Sequence, residues 1–257
     1  MSLKPPQGRK AHFHSNSLPQ SRTLPSAVGN RPLLHYFDAR GRAETIRLML
    51  TAAGLQWDES VVAEPTAVNQ LEELSKGKAL LFGRLPLLEW DGMAMVEKDA
   101  IVRYIAEKNG MTGANPRESY RIDCLSESAK ELLAPFLKKG FALPEQFAAA
   151  TKAAMDRLLP TFDELIHRLC YELLSRNSEG GYLVGSKVSM ADVALLEALL
   201  LVEESAPEEL DKYANCKAYL ERLKEMPTFA DYLTSPKRRE PDDDGYVKLV
   251  QKTKHTP

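Results

Sequence analysis

The sequence predicts a small mixed α/β domain followed by an all-helical domain. Strand and helix patterns alternate between residues 33 and 109, whereas after Pro116 no strand pattern of any length remains. The chain has 257 residues and 44% hydrophobic side chains, which is enough for two cores of ordinary size. We expect an N-terminal extension at residues 1–30, the α/β domain at 31–112 and the helical domain at 113–250.

The first domain opens with a short apolar and aromatic run at residues 33–37, as a buried strand requires. Asp91-Gly92 is typical of a tight hairpin turn between two short strands. The other predicted elements are a helix at 43–53, a strand at 57–62, a loose helix at 67–74, hairpin strands at 86–90 and 93–96, and a helix at 98–108. The order βαβ followed by ββα implies a mixed sheet of four strands with helices on both sides.

The second domain shows helical periodicity in four segments. They cover residues 118–138, 144–176, 189–204 and 216–225. Ser189-Met190-Ala191-Asp192 has the spacing of a capping box, with aspartate in place of the usual glutamate or glutamine. This spacing indicates where the third of these helices begins.

Composition limits the classes of partner. The net charge is −2, and because residues 1–30 contain basic side chains but no acid, the remainder of the chain is mildly acidic. This acidic character argues against nucleic acid as the main partner, since phosphate binding relies on clustered lysine and arginine. The longest apolar run, residues 193–202, is interrupted by Glu197 and is shorter than the roughly 18 residues of a membrane span.

Two features bear on the cellular location. Residues 1–30 are rich in proline, serine and basic residues, which predicts a disordered extension. The same composition resembles a mitochondrial transit peptide, although four prolines interrupt the amphipathic helix that such peptides form. Cys124, Cys170 and Cys216 lie far apart without metal-ligand or disulfide spacing, so we expect reduced thiols and a cytoplasmic protein.

Tyr36 lies near the end of the first predicted strand and is followed by Arg40, Arg42 and Arg47. A phenol with a pKa of about 10 is protonated at neutral pH, so beside cations it can donate a hydrogen bond to a forming anion such as a thiolate. The alternative is a packed ring followed by a solvated loop. The residues alone leave both interpretations open.

Four further segments stand out: LHYFDARGRAE from residue 34, LFGRLPLLEWDGM from 81, YLVGSKVSMAD from 182 and PKRREPDDDGYVK from 236. Together they resemble the soluble glutathione transferases, and most of all their alpha class. The resemblance extends from Pro32 to about Val250 and implies a thioredoxin-like first domain. It further implies a homodimer that binds reduced glutathione, ionises its thiol and adds the sulfur to a hydrophobic electrophile in an adjacent apolar pocket.

By this resemblance Tyr36 is the catalytic tyrosine and Arg42 adds positive potential beside it. The chemistry needs them because a thiol with a pKa near 8.5 is only a few per cent thiolate at neutral pH. The family uses glutathione as a co-substrate and requires no metal and no organic cofactor. No cysteine precedes Cys124 to serve as an alternative nucleophile.

The resemblance also implies the glutathione site. The cis bond between Leu85 and Pro86 presents backbone groups to the cysteinyl part, and the helix that begins after Val96 attracts the γ-glutamyl carboxylate. Glu131 and Arg157 match an acid and an arginine that reach the partner's glutathione. The complete set is Tyr36, Lys76, Arg84, Leu85, Pro86, Glu97, Lys98, Glu131 and Arg157.

Three departures from the family pattern put glutathione affinity in question. Glu97-Lys98 replaces a pair that ends in a hydroxyl residue, and Arg84 stands where glutamine is usual. Strict alignment places Ser75 where the family has a basic residue, and only a shift of one position brings in Lys76. Lys98 could bind the carboxylate as a point charge or crowd it out.

The remaining implied sites are the dimer interface and the pocket for the electrophile. Phe82 matches an aromatic side chain that inserts into the partner subunit. A terminal helix over residues 246–250 covers the pocket in the alpha class, and Asp242-Asp243-Asp244 is a favourable start for it. The predicted pocket residues are Phe37, Ala39, Leu137, Phe141, Tyr246 and Val250.

Two alternatives to conjugation stay open from the sequence. The departures at the glutathione site fit a ligand-binding or structural protein of the same fold, comparable to lens crystallins, with weak or no catalysis. An enzyme that isomerises or reduces a lipid-derived substrate would keep both the fold and glutathione.

Overall fold

The computed structural model describes residues 31–176 and 181–253. The predicted disordered extension at residues 1–30 lies outside the described residues. Within the described ranges, no helix is long and apolar enough to cross a membrane.

The first domain contains the predicted mixed sheet of four strands, in the order β2-β1-β3-β4. Strand β1 pairs in parallel with β2 and antiparallel with β3, and β3 pairs antiparallel with β4. The elements in chain order are β1 Leu33–Phe37, α1 Glu44–Ala52, β2 Asp58–Val62, α2 Ala67–Lys76, β3 Leu87–Trp90, β4 Met93–Val96 and α3 Lys98–Lys108. The prediction of the sheet and of its helices is therefore confirmed.

Central position explains why β1 is so deeply buried. Leu34, Tyr36 and Phe37 are all nearly inaccessible to solvent, whereas the edge strand β4 keeps Met93 exposed. The predicted hairpin turn is present, because Asp91 and Gly92 adopt positive φ values of 52° and 73°. Asp-Gly suits such a turn since both residues tolerate the left-handed region.

The second domain contains helices only, among the residues that the structure describes. They are α4 Pro116–Leu133, α5 Pro144–Arg176, α6 Met190–Ser205, α7 Pro207–Leu210, α8 Ala214–Glu225, α9 Pro227–Leu233 and α10 Asp244–Lys252. Helix α4 ends five residues before the predicted end at residue 138, because Pro135 interrupts it and a short 3-10 helix at Phe136–Lys138 follows. The sequence reasoning also missed α7 and α9, each of which begins at a proline.

Helix α6 joins the two domains. It is buried around most of its circumference and packs against α1 of the first domain and α4 of the second. The predicted capping box is present: the Asp192 carboxylate accepts the Ser189 backbone N–H at 2.7 Å. Asp192 also accepts the Leu183 N–H at 2.8 Å and the Tyr219 hydroxyl. Because α1 follows the loop after β1, this interface fixes the position of that loop.

Candidate active site

The loop after β1 folds back onto the Tyr36 hydroxyl. A short 3-10 helix at Gly41–Ala43 turns the backbone so that the Arg42 N–H donates to Tyr36 Oη at 2.9 Å. The Arg42 guanidinium also acts on Tyr36 through its charge, which favours the phenolate. Arg42 therefore reaches Tyr36 through its backbone as well as through the side-chain charge that the sequence suggested.

A second tyrosine hydroxyl completes this cluster. Tyr246 of α10 places its Oη 3.0 Å from Tyr36 Oη, although the two residues are 210 positions apart. The Tyr246 ring packs edge-on against Phe37 and Phe141, with centroids 6.0 and 6.1 Å away. The sequence analysis placed Tyr246 on an apolar helix face and among the pocket residues, but it did not predict the contact with Tyr36, since periodicity indicates which side is buried and not what a hydroxyl touches.

Gly41 makes this arrangement possible. It has a φ of 38°, and a Cβ atom there would come closer than 3 Å to both hydroxyl oxygens. Its N–H donates to Asp242 at 2.9 Å, which ties the segment before α10 to the loop after β1. The two hydroxyls are thus enclosed from the first domain by Gly41 and from the second by the C-terminal segment.

Burial keeps both tyrosines protonated at neutral pH. Burial raises the pKa of Tyr36, while its bonds to Tyr246 and to the Arg42 N–H oppose that rise. Burial likewise raises the pKa of Tyr246 well above its usual range. A phenol in this state is a hydrogen-bond donor, as the proposed stabilisation of a thiolate requires.

Arg47 of α1 stabilises the loop after β1 through buried hydrogen bonds. Its side chain is fully buried and donates to the two Glu59 oxygens at 2.9 and 3.2 Å and to the Ala39 carbonyl at 2.9 Å. Burial opposes ionisation of Glu59, but the bond and charge of Arg47 hold the pKa of that carboxyl below its usual value. Sequence reasoning gave Glu59 no role, because nothing in a single sequence pairs an arginine on α1 with an acid on β2.

A cavity of about 160 Å³ lies next to Gly41 and Asp242. Its apolar lining residues include the predicted pocket residue Leu137, together with Phe136, Leu200, Leu201 and Pro241. Its charged lining residues are Arg40, Glu44, Lys139, Glu197, Glu204, Arg238 and Asp242. Burial raises the pKa of Glu197 to about 7 against the opposing charge of Lys98. The other predicted pocket residues Phe37, Ala39 and Val250 are buried in the adjoining core.

Comparison with known proteins decides the family. The family model for the glutathione S-transferase N-terminal domain matches residues 32–107, and that for the C-terminal domain matches residues 130–236. This chain belongs to the glutathione S-transferase family.

Relatives and solved structures agree with that assignment. Glutathione S-transferase alpha-4 of Rattus norvegicus is 34% identical over 86% of this chain and 96% of its own length. Glutathione S-transferase A4 of Homo sapiens is 35% identical over the same shares. The crystal structure of the glutathione S-transferase from Ascaris lumbricoides superposes with a TM-score of 0.66 at 25% identity, covering 82% of this chain and 98% of that one. The resemblance to the alpha class is therefore confirmed, as is the thioredoxin-like fold of the first domain.

In this glutathione S-transferase the peptide bond between Leu85 and Pro86 is cis, as the sequence predicted. Helix α3 begins at Lys98, directly after Glu97, which adopts a φ of 68°. The Glu97 side chain makes no capping hydrogen bond to the first turn of α3. The N–H groups of such a turn can bind an anion. Arg84 lies beside this turn, with Nη2 2.9 Å from Glu97 Oε1.

Lys98 does not extend into solvent at the start of α3. Its side chain is only 11% exposed, and its ammonium lies 3.4 Å from Asp99 Oδ1. The positive charge of Lys98 also acts on the buried Glu197. Because the ammonium lies against Asp99, the described geometry favours neither arrangement considered from the sequence, in which Lys98 binds the γ-glutamyl carboxylate or crowds it out.

The remaining predicted glutathione residues lie on exposed helix faces. Lys76 is 66% exposed and pairs with Glu72 and Glu73 on α2. Arg157 of α5 pairs with Glu131 of α4, and both line an open groove between these helices. The structure brings neither group into contact with Tyr36, among the contacts of the described residues. Within the same residues, no group of three histidine, cysteine, aspartate or glutamate side chains is arranged to hold a metal ion.

Proposed function

We propose that this protein is a tyrosine-type glutathione transferase that conjugates reduced glutathione to hydrophobic electrophiles. The Tyr36 hydroxyl donates to the glutathione sulfur while the thiol proton leaves to solvent. The thiolate then forms a bond to the electrophilic carbon, and the displaced electron pair leaves with a halide or moves onto a conjugated carbonyl oxygen. The main support is the buried Tyr36 hydroxyl, held by the Arg42 N–H and kept protonated by burial.

The size of the effect follows from the strength of one charge-assisted hydrogen bond. A bond from a neutral donor to an ionised group contributes about 1.5–3 kcal/mol. At 1.36 kcal/mol per pKa unit, this lowers the thiol pKa by about one to two units. A thiol that starts near 8.5 then becomes substantially ionised at neutral pH.

We propose that glutathione lies along the first domain. Leu85 and Pro86 would meet its cysteinyl part, and the uncapped first turn of α3 would bind the γ-glutamyl carboxylate beside Arg84, Glu97 and Lys98. Lys76 is proposed for the glycyl carboxylate. The engaged ammonium of Lys98 supports binding through the backbone of α3 rather than through that side chain.

The acceptor pocket is proposed to lie between the loop after β1 and the C-terminal segment. Phe37, Ala39, Leu137, Phe141 and Val250 would contribute its apolar surface, and Tyr246 its polar end. No metal and no organic cofactor is part of this proposal. We further propose a cytoplasmic location, since Cys124 and Cys216 are free thiols.

A homodimer is part of the same proposal. Leu81 and Phe82 are adjacent, apolar, and 73% and 60% exposed, which is unusual for large hydrophobic side chains. We propose that Phe82 inserts into the partner and that Glu131 and Arg157 face the partner's glutathione. Sedimentation velocity should show a dimer that Phe82→Ser weakens, whereas Leu143→Ser, at another exposed apolar position, should leave it intact.

The test of the function is the rate of conjugation with glutathione and a panel of aryl halides and enals. The wild-type protein should exceed the background rate, and Tyr36→Phe should lower it by about one to two orders of magnitude, in line with the hydrogen bond that is lost. Calorimetry should show glutathione binding in both proteins. Absence of glutathione binding together with tight uptake of apolar anions would instead support a ligand carrier.

A further inference from the structure

The hydroxyl groups of Tyr36 and Tyr246 form one cluster, although the proposed chemistry uses only the Tyr36 hydroxyl as a donor. A tyrosine hydroxyl has one proton to donate and an oxygen that can accept two hydrogen bonds. The Tyr36 oxygen accepts the Arg42 N–H at 2.9 Å and lies 3.0 Å from the Tyr246 oxygen. Among the described residues, the two hydroxyls have no other hydrogen-bond partner, so one of their two protons is left for an incoming acceptor.

We propose that Tyr246 is a positioning residue that acts through Tyr36. When the thiolate forms, the Tyr246 hydroxyl donates to the Tyr36 oxygen, so the Tyr36 hydroxyl keeps its proton and donates its own hydrogen bond to the sulfur. With the Arg42 N–H in the second acceptor position, Tyr36 is restricted to one donor direction. This inference rests on the proposed glutathione chemistry and adds a second residue to it.

Cooperativity gives Tyr246 an effect on the sulfur that it does not touch. A hydroxyl that accepts a hydrogen bond becomes a stronger donor, and this strengthening is larger where water is excluded. Tyr36 is 4% exposed and Tyr246 is 6% exposed, so the pair lies in such an environment. Removing the Tyr246 hydroxyl should therefore weaken the bond from Tyr36 to the thiolate.

The surrounding structure fixes the position of Tyr246 from several directions. Asp243 accepts the Tyr246 N–H at 2.8 Å at the start of α10, and Asp242 accepts the Gly41 N–H at 2.9 Å. Phe37 and Phe141 hold the ring at its edges. The hydroxyl is thus preorganised toward Tyr36, and formation of the bond requires no further ordering of the ring.

The test compares Tyr246→Phe with the wild-type protein in the pH dependence of kcat/KM and in the ultraviolet titration of bound glutathione thiolate. Because one neutral hydrogen bond is lost, we expect kcat/KM below the thiol pKa to fall about threefold to tenfold. The midpoint of both titrations should move to higher pH, and the difference in rate should shrink at high pH. A merely structural role would lower the rate equally at all pH values.

Two further variants serve as controls for this comparison. Tyr120→Phe removes a hydroxyl from a ring that is 69% exposed on α4, and should leave the midpoint in place. In a Tyr36→Phe background, Tyr246→Phe should cause no additional shift, because its effect passes through the Tyr36 hydroxyl.

Three outcomes overturn the inference. An unchanged midpoint in Tyr246→Phe excludes the hydrogen-bond role. Tighter glutathione binding with a lower midpoint shows that the Tyr246 hydroxyl instead occupies the place of the sulfur. A full additional shift in the Tyr36→Phe background shows direct action on the sulfur. If Tyr36→Phe itself matches the wild-type protein, the proposed function has failed, and with it this inference.

Discussion

Arg47→Met should destabilise the protein strongly, because it removes one partner from a buried ion pair. The Arg47 side chain is fully buried, and Glu59 is largely buried opposite it. The methionine side chain is also long and flexible, so it fills most of the space without a charge. It leaves Glu59 without two hydrogen bonds and the Ala39 carbonyl without one.

The expected loss in the free energy of unfolding is about 3–5 kcal/mol, as for other buried pairs from which one partner is removed. Glu59 retains the Trp57 indole at 3.1 Å and Arg239 at 3.2 Å, which favours the lower part of this range. Since a domain has a total stability of about 5–15 kcal/mol, the loss is a large fraction of the whole.

Urea denaturation at equal protein concentrations measures this loss, since association would otherwise contribute. The matched control is Arg103→Met, which breaks a surface pair with Asp123 where both side chains are more than 40% exposed. That change should cost less than about 1 kcal/mol. If Arg47→Met were no more costly than Arg103→Met, the view that Arg47 supports the loop after β1 would be wrong.

Two other predictions concern the same loop and its interface with α6. Gly41→Ala should abolish most of the conjugation rate because its Cβ displaces both hydroxyls. Gly54→Ala, at a φ of 67° and with no neighbour within 4 Å, introduces similar backbone strain without the clash and should leave the rate unchanged. Equal rates in the two variants would contradict this view of Gly41. The pKa of Glu197 is about 7 in the folded protein against 4.5 ordinarily, so stability should fall as the pH rises from about 4.5 through 7. The free energy of unfolding, measured by denaturation at pH 5 and pH 8, should therefore decrease with pH, and Glu197→Gln should remove up to about 3 kcal/mol of this decrease. If the substitution left the decrease unchanged, the buried carboxyl would not be protonated as described.

Local patterns were sufficient to predict most of the fold. The strand at Leu33–Phe37 and the Asp91-Gly92 turn follow from rules that span a few residues. The end of α4 was misplaced because helical periodicity continued through Pro135, and the short α7 was missed because four residues are too few to show a period. These errors arise where a proline, and not the apolar pattern, sets the boundary.

Contacts between distant residues limited the prediction of the site. Tyr36 was identified from its neighbours in the chain, but the hydroxyl of Tyr246 meets it across 210 positions. The same limit applies to Lys98, whose ammonium lies 3.4 Å from Asp99 and whose charge acts on the buried Glu197. A single sequence indicates which residue types are available, whereas the packing of α6 and α10 decides which of them meet.

The pKa of the thiol of bound glutathione, compared between the wild-type protein and Tyr36→Phe, tests most directly whether Tyr36 stabilises a thiolate. Ultraviolet titration of the bound thiolate measures it without a second substrate. In the wild-type protein this pKa should lie clearly below the value of about 8.5 for a free thiol. Tyr36→Phe should raise it by about one to two units, since one charge-assisted bond is lost. The same pKa in both proteins would contradict the role of Tyr36.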